Sequence, residues 1–252
     1  MSFQTFIEHC HKTLSDRHRQ YLRGRGVSDH AIDMFSIGTF PQNINVLFQH
    51  VDMKECAEKK IVYKDNFKLS SFFTRDLILP IYDSYGEKII GLCGRATLSD
   101  EEMKSNKIAK YYNSNYEKSK NLFGLHIAKE EILKQDCVLL VEGNMDVVAA
   151  FDEGVNNVVA SCGTALSDIQ LAKLARYTKN IIILYDNDTA GVKATDRIFK
   201  KFSKWKDYFS LHRGYVPSGY KDLDDILRGS NNKKEVVADI INSAKGGLDY
   251  VL

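Results

Sequence analysis

Four carboxylates set the chemistry open to this chain. Glu142 and Asp146 follow the apolar run Cys137-Val-Leu-Leu-Val141, and Asp186 and Asp188 follow Asn180-Ile-Ile-Ile-Leu-Tyr185. Short apolar runs of this kind read as strands buried on both faces. A segment of helical period follows each, so the acids fall at the carboxyl ends of parallel strands, the edge where open α/β sheets bind ligands. Carboxylates gathered there repel one another unless a cation sits among them. Hard oxygen donors with few neutral helpers suit Mg²⁺ or Mn²⁺ far better than zinc. A lone Asp at a strand end is commonly the cap of the next helix, and for Asp146 taken alone that reading stands beside the metal one. Two acidic strand ends in neighbouring βα units, both in Gly-containing turns, favour the metal site. Further along, Tyr220-Lys-Asp-Leu-Asp-Asp-Ile-Leu227 adds Asp222, Asp224 and Asp225. Some of these cap or solvate the helix that follows, and their alternation can bring one or two into the same cluster.

The elements that must position these acids are strands near 137–141, 156–161, 180–185 and 209–216, with helices near 145–154, 167–179 and 189–206. The last helix carries Val192, Ile198, Phe199, Phe202 and Trp205 as a core face. Gly163 in Ser161-Cys-Gly-Thr164 permits a tight turn beside the acidic edge, and Gly191 permits close packing or backbone approach. Upstream, residues 3–35 read as short helices, with Phe3, Phe6, Ile7, Cys10 and Leu14 in helical period and caps at Ser15 and Ser28. Residues 37–98 read as strand-rich, with a hairpin of 75–83 and 88–95, Pro80 marking an edge or irregular position, and 99–109 forming an exposed polar loop. The final residues, 233–252, read as a helix and a frayed tail.

Basic residues supply the complementary chemistry. Arg17, Arg19, Arg23 and Arg25 cluster, and a solvated helix face accounts for most such clusters. Arg25 differs because it lies in a Gly-Arg-Gly turn. Arg95 ends the second hairpin strand, where it can present a cation to a phosphate. Lys110-Tyr-Tyr-Asn-Ser114 and Lys118-Ser-Lys-Asn-Leu-Phe-Gly124 interleave lysines with rings and amides. That pattern suits a nucleic-acid or nucleotide surface, and composition alone equally allows a flexible loop.

The whole chain sets limits. Its 252 residues, 44% apolar and 27% charged, describe an ordinary globular protein of one large or two small domains. A net charge of +2 leaves nucleic-acid binding to local patches. Five dispersed cysteines (Cys10, Cys56, Cys93, Cys137, Cys162) without a Cys-x-x-Cys pair point to reduced thiols and against a zinc ribbon. His9, Cys10 and His11 are adjacent on a helix and diverge, so they do not form a ligand set. No run has membrane-spanning length and no signal-peptide pattern opens the chain, so a cytoplasmic protein is expected, with no membrane partner.

Taken in order, Glu142-Gly-Asn-Met-Asp146, Ala160-Ser-Cys-Gly-Thr164 and Tyr185-Asp-Asn-Asp-Thr-Ala-Gly191 resemble the Toprim signature. The flanks resemble the catalytic core of DnaG-type primases of bacteria and bacteriophages. They are Tyr21-Leu-Arg-Gly-Arg-Gly-Val-Ser28, Phe35-Ser-Ile-Gly38, Arg75 with Pro80-Ile-Tyr-Asp83, Ile90-Gly-Leu-Cys-Gly-Arg95, Lys110-Tyr-Tyr-Asn-Ser114 and Leu122-Phe-Gly-Leu125. The collinear match runs from about residue 15 to 228. It implies an α/β fold: an α+β N-terminal subdomain over 1–125, a Toprim-type Rossmann-like parallel sheet over 126–217, and a short helical segment over 218–252. It also implies a DNA-directed RNA polymerase of the primase type, a nucleotidyltransferase making short RNA primers from ribonucleoside triphosphates on single-stranded DNA. By the family pattern Glu142, Asp146, Asp186, Asp188, Asp222 and Asp224 hold two or more Mg²⁺ or Mn²⁺ ions, with Glu142, Asp186 and Asp188 catalytic. Arg25, Arg75, Arg95, Lys110, Asn113 and Lys118 fall on the template and nucleotide path.

Departures from the family bear on partners. Asn144 and Asn187 stand where the family usually has Tyr and Gly. The family's zinc-binding and helicase-contacting domains have no counterpart in the sequence, so no structural zinc is expected. A bacteriophage-encoded or split primase is expected, with a replicative helicase and a zinc-domain chain as partners. The competing readings are a Toprim nuclease and a non-catalytic adaptor that binds DNA or a helicase.

Overall fold

The computed structural model describes residues 2–62, 71–163, 165–205 and 208–246. Thr164 of the expected turn and the expected tail of 247–252 lie outside them. The chain divides into two compact units, residues 1–116 and 117–252. Residues 117–125 thus group with the second unit.

The first unit opens with α1 (Phe3–Lys12), α2 (Asp16–Gly24) and α3 (Asp29–Met34), capped by the hydroxyls of Ser2, Ser15 and Ser28. Phe3, Phe6, Ile7, Cys10 and Leu14 are all buried, as their helical period predicts. An antiparallel sheet follows in the order β1 (Gly38–Thr39), β2 (Leu77–Tyr82), β3 (Ile89–Arg95), β4 (Tyr111–Asn113). The hairpin of β2 and β3 is the expected one, with Pro80 opposite Leu92 and a register irregularity at Ile81/Tyr82. β2 is an inner strand, but two-residue β1 pairs only with Leu77 and Ile78, so Pro80 needs no donor on that side.

Two stretches differ from the sequence reading. The strand-rich span also holds α4 (Ile44–His50) and α5 (Met53–Glu58), started by the side chains of Asn43 and Asp52. The expected loop 99–109 contains α6 (Asp100–Ser105), nucleated by a capping box between Ser99 and Glu102. Three acids in its first turn and Lys104 in its last complement the helix dipole, so local polar chemistry makes this helix with little apolar help.

The second unit begins with α7 (Leu125–Gln135) and is built on a parallel sheet. Its strands are β5 (Val138–Val141), β6 (Val158–Ala160), β7 (Asn180–Ile183) and β8 (Ser210–Arg213), in the spatial order β6-β5-β7-β8. All residues of β5 and β6 and three of the four in β7 are buried, which is why their sequences do not alternate. The helices are α8 (Asn144–Asp152), α9 (Asp168–Leu174), α10 (Thr189–Phe202), α11 (Leu223–Gly229) and α12 (Lys233–Gly246). Ile198, Phe199 and Phe202 of α10 are buried as expected. Val192 is 45% exposed, and Trp205, beyond the helix in a 3-10 turn, is 39% exposed beside Tyr208. Both leave the predicted core face. The phase drifts around the helix at Val192, and α10 has ended before Trp205.

This strand order has a topological switch. The chain leaves β5 through α8 toward β6, and leaves β7 through α10 toward β8 in the opposite direction. A crevice therefore opens at the carboxyl ends of β5 and β7, where such folds take ligands. Among the described residues no helix is long and apolar enough to cross a membrane.

Candidate active site

The acids expected to do chemistry lie at this crevice. Glu142 follows β5 directly and is half-buried. Asp146, in the first turn of α8, is only 7% exposed. A Cβ on Gly143 would stand 2.6 Å from Asp146 Oδ2, so the glycine makes room for that carboxylate. Asp186 follows β7, and the first turn of α10 lies against its backbone: a Cβ on Gly191 would meet the Asp186 carbonyl oxygen at 2.1 Å. The close approach foreseen at Gly191 is real. Gly163 has φ +68°, the left-handed conformation its tight turn requires.

Three of the acids also serve the helices. Asp188 caps α10, its Oδ1 accepting the N–H groups of Ala190 at 2.9 Å and Gly191 at 2.8 Å. Asp222 caps α11 by accepting from Asp225 N–H at 2.8 Å. Asp224, 2% exposed, pairs with Arg228 Nε at 3.2 Å, and its own N–H donates to Asp146 Oδ1 at 2.9 Å. Asp225 turns to Arg228 at 3.4 Å and accepts the Lys221 N–H at 3.0 Å.

Their electrostatics show that the acids share one neighbourhood. Burial, then Asp222, Asp186 and Asp224, push the Asp146 carboxyl up to about 8, against the lowering effect of its bond from Asp224. Burial, then Glu142, Asp222 and Asp188, raise Asp186 to about 6. Glu142 is raised by burial and by Asp188. Tyr185 is pushed up to about 12, chiefly by burial and in part by Glu142, while its hydroxyl donates to Ser161 Oγ at 3.0 Å. Lys221 opposes the trend, lowering both Glu142 and Asp186. Its carbonyl accepts the Asn187 N–H at 2.7 Å, which holds it beside the second acidic turn. Sequence reasoning passed over Lys221, although a lone lysine opening the acidic run Lys221-Asp-Leu-Asp-Asp225 was a visible signal.

The donors are all hard oxygens, and burial and mutual repulsion raise the proton affinities of Glu142, Asp146 and Asp186, so in kind they fit a divalent cation. Among the described residues, however, no three His, Cys, Asp or Glu side chains are grouped so as to hold one.

The basic positions are dispersed differently. In the first unit Arg25 and Arg95 lie over the same Tyr21 ring, 5.9 and 5.6 Å from its centroid. Arg95 is 2% exposed rather than presented to solvent. Its Nε donates to the Tyr21 hydroxyl at 2.7 Å, its Nη1 to the Tyr111 hydroxyl, and its guanidinium lies 5.0 Å from the Tyr111 ring centroid. Arg75 clamps backbone, donating to Ala109 O at 2.7 Å and Ser71 O at 3.2 Å. Lys110 is exposed immediately before β4. Asn113, within β4, accepts from the Tyr116 hydroxyl at 3.3 Å. Lys118 belongs to the second unit, where its carbonyl accepts from Gln170 at 3.1 Å. Arg17, read as part of a solvated face, instead pairs with buried Asp76 at 2.6 Å.

Two family models match the chain, one after the other. Residues 5–129 match the family model described as DNA primase catalytic core, N-terminal domain, and residues 139–227 match the Toprim-like model. The DNA primase of Lactococcus lactis is 36% identical over 189 residues, 72% of this chain and 29% of that protein. The E. coli primase catalytic core superposes with a TM-score of 0.80 at 30% identity, covering 95% of this chain and 78% of that one. A DnaG primase catalytic domain bound to single-stranded DNA gives the same TM-score at 27% identity, over 96% and 79% of the two chains. The chain spans less than half the length of the curated primases it matches. With the two models in collinear order and a 30% identical catalytic core covered over 78% of its length, the chain belongs to the DnaG-type primase catalytic-core family, its second unit a Toprim-type α/β sheet.

Proposed function

We propose that this chain synthesises short RNA primers on a single-stranded DNA template by nucleotidyl transfer at the β5/β7 crevice. The observation that carries this reading is the gathering of acids from three segments at one topological switch point, with Glu142, Asp146 and Asp186 all held toward their protonated forms. Carboxylates gathered this way call for cations, and transfer of a nucleoside triphosphate uses them. Glu142, Asp146, Asp186, Asp188, Asp222 and Asp224 would hold two or more Mg²⁺ or Mn²⁺ ions, which supply charge to stabilise the attacking and leaving oxygens together. Glu142, Asp186 and Asp188 are the catalytic carboxylates. Asp146 holds the first turn of α11, and so Asp222 and Asp224, beside them through its bond from Asp224 N–H.

Arg25, Arg75, Lys110, Asn113 and Lys118 contact template phosphates or the incoming ribonucleotide, reading charge rather than sequence. Arg95 contributes by fixing Tyr21 and Tyr111 within the first unit. A replicative helicase and a zinc-domain chain are the expected partners for loading and initiation.

The test is primer synthesis on single-stranded DNA with labelled ribonucleotides and Mg²⁺ or Mn²⁺, with and without a supplied dinucleotide. Wild type is expected to give metal-dependent product that both Glu142→Gln and Asp186→Asn abolish. Product only with the dinucleotide would assign initiation to a partner chain. No product from wild type while DNA binding persists would overturn the reading in favour of a binding adaptor, and nicking of DNA without nucleotides in favour of a nuclease.

A further inference from the structure

We propose that the first unit carries a nucleotide-binding cleft of its own, taking one base and one phosphate through residues that the primer-synthesis reading does not use. The cleft encloses about 730 Å³. It lies where the end of α1, the start of α2 and the segments following β1, preceding β2 and following β3 meet. That volume is in the range of small-molecule sites.

Its floor is a neutralised carboxylate. Asp76, 8% exposed, accepts from Arg17 Nη2 at 2.6 Å and Gln42 Nε2 at 3.3 Å, and its Oδ1 lies 3.1 Å from Nε2 of fully buried His18. Nδ1 of His18 is in turn 2.8 Å from Thr39 Oγ1. An acid so surrounded does not repel a phosphate. It also fixes the Arg17 guanidinium at the cleft while that side chain stays 57% exposed. Only Nη2 of Arg17 is engaged by Asp76, so the rest of a five-donor fork remains open to an anion.

The walls suit a flat heterocycle. Phe73 lines the cleft and is held edge-on to buried Phe40, with ring centroids 5.5 Å apart at 74°. Leu98 and Pro41 add apolar surface. Stacking of a base on an aromatic ring contributes about 1–3 kcal/mol and tolerates any base. Thr97 Oγ1, also in the lining, is buried with no hydrogen-bond partner among the described residues. With no accessible surface, that oxygen lies out of reach of a ligand in the cleft, and Thr97 adds to the wall only through its other atoms. Ring wall and half-free guanidinium together describe a nucleotide, either free or as one unit of a strand.

The experiment measures ATP and GTP binding to the whole chain by calorimetry in EDTA, where the acidic crevice has no cation with which to hold a triphosphate. Thermal melts would establish that each variant is folded. Wild type is expected to bind, with affinity at least about tenfold weaker in Arg17→Ala and in the cleft-filling Leu98→Trp, and unchanged in Asp186→Asn. No binding by wild type, or affinity equal to wild type in both Arg17→Ala and Leu98→Trp, would overturn the proposal. A labelled oligothymidylate that displaces ATP would identify the natural occupant as a strand nucleotide; one that binds without displacing it would identify a free nucleotide. Loss of primer synthesis in Asp186→Asn with nucleotide binding in EDTA intact keeps the two sites distinct.

Discussion

Asp146 Oδ1 accepts the backbone N–H of Asp224 at 2.9 Å, across 78 residues of sequence. This bond joins the first turn of α8 to the first turn of α11 inside the second unit. Asp146 is thus both a structural acceptor and a buried acid of the crevice. The two roles separate chemically, because acceptance needs only an oxygen and cation binding needs the charge.

Asp146→Asn therefore keeps the bond and removes the charge. The Asp146 carboxyl is raised from 3.8 to about 8 in the folded protein, so the native state holds this proton more tightly than the unfolded chain. Its contribution is full below about pH 4 and is lost as pH rises through about 8. Asp186, raised to about 6, acts in the same direction over a narrower window. Urea unfolding in EDTA should show wild type losing up to a few kcal/mol between pH 5 and pH 8, a flatter profile for Asp146→Asn, and the variant more stable at pH 8. Parallel profiles would mean that Asp146 is not the titrating group.

Lys221 lowers the proton affinity of both Glu142 and Asp186 and thereby stabilises the crevice without any metal. It is exposed, so its worth is modest, about 1 kcal/mol or less. Lys221→Met should lower the metal-free melting temperature at pH 8 by roughly 2–4 °C. Addition of Mg²⁺ should recover more stability in the variant than in wild type, since a competing cation is gone. An equal Mg²⁺ response in the two proteins would remove Lys221 from the crevice.

What was legible in the sequence, and what was not, follows from the range of the interactions. Val138–Val141 and Asn180–Ile183 announced themselves because a strand buried on both faces must be apolar throughout, and the acids ending each run had to emerge at one edge. The helix at Asp100–Ser105 was missed because its signal was a capping box, with no apolar stripe to count. Arg17 read as a solvated cation because its partner, Asp76, lies 59 residues on. Arg95 read as a phosphate ligand for the same reason: Tyr21 is 74 residues away, and no local pattern marks an arginine for burial. The position of Arg95 was legible; the direction of its side chain was a tertiary fact.

Arg95 is accordingly expected to fail as a simple charge substitution. Its guanidinium bonds two tyrosine hydroxyls and lies against both rings, a planar arrangement that an ammonium cannot reproduce. Arg95→Lys should destabilise the protein by about 2–3 kcal/mol in denaturant unfolding, and Arg95→Ala by more. A surface phosphate ligand would instead lose DNA affinity with no change in the unfolding midpoint.

Gly191 tests whether the crevice depends on backbone contact as much as on carboxylates. An added Cβ would stand 2.1 Å from the Asp186 carbonyl oxygen and 3.0 Å from its nitrogen, both main-chain atoms that no rotamer change can move. Gly191 N–H also donates to the cap acid Asp188 at 2.8 Å, so any shift of this turn disturbs two of the crevice acids together. Gly191→Ala is expected to cost about 1–3 kcal/mol in urea unfolding and to abolish Mg²⁺-dependent stabilisation and primer synthesis. Gly24→Ala is the matching control: it ends α2 with nothing within 4 Å of its would-be Cβ and should be neutral to slightly stabilising. If Gly191→Ala kept both the wild-type midpoint and the Mg²⁺ response, α10 would have to be free to slide off the Asp186 backbone, and the crevice would not be held by that contact.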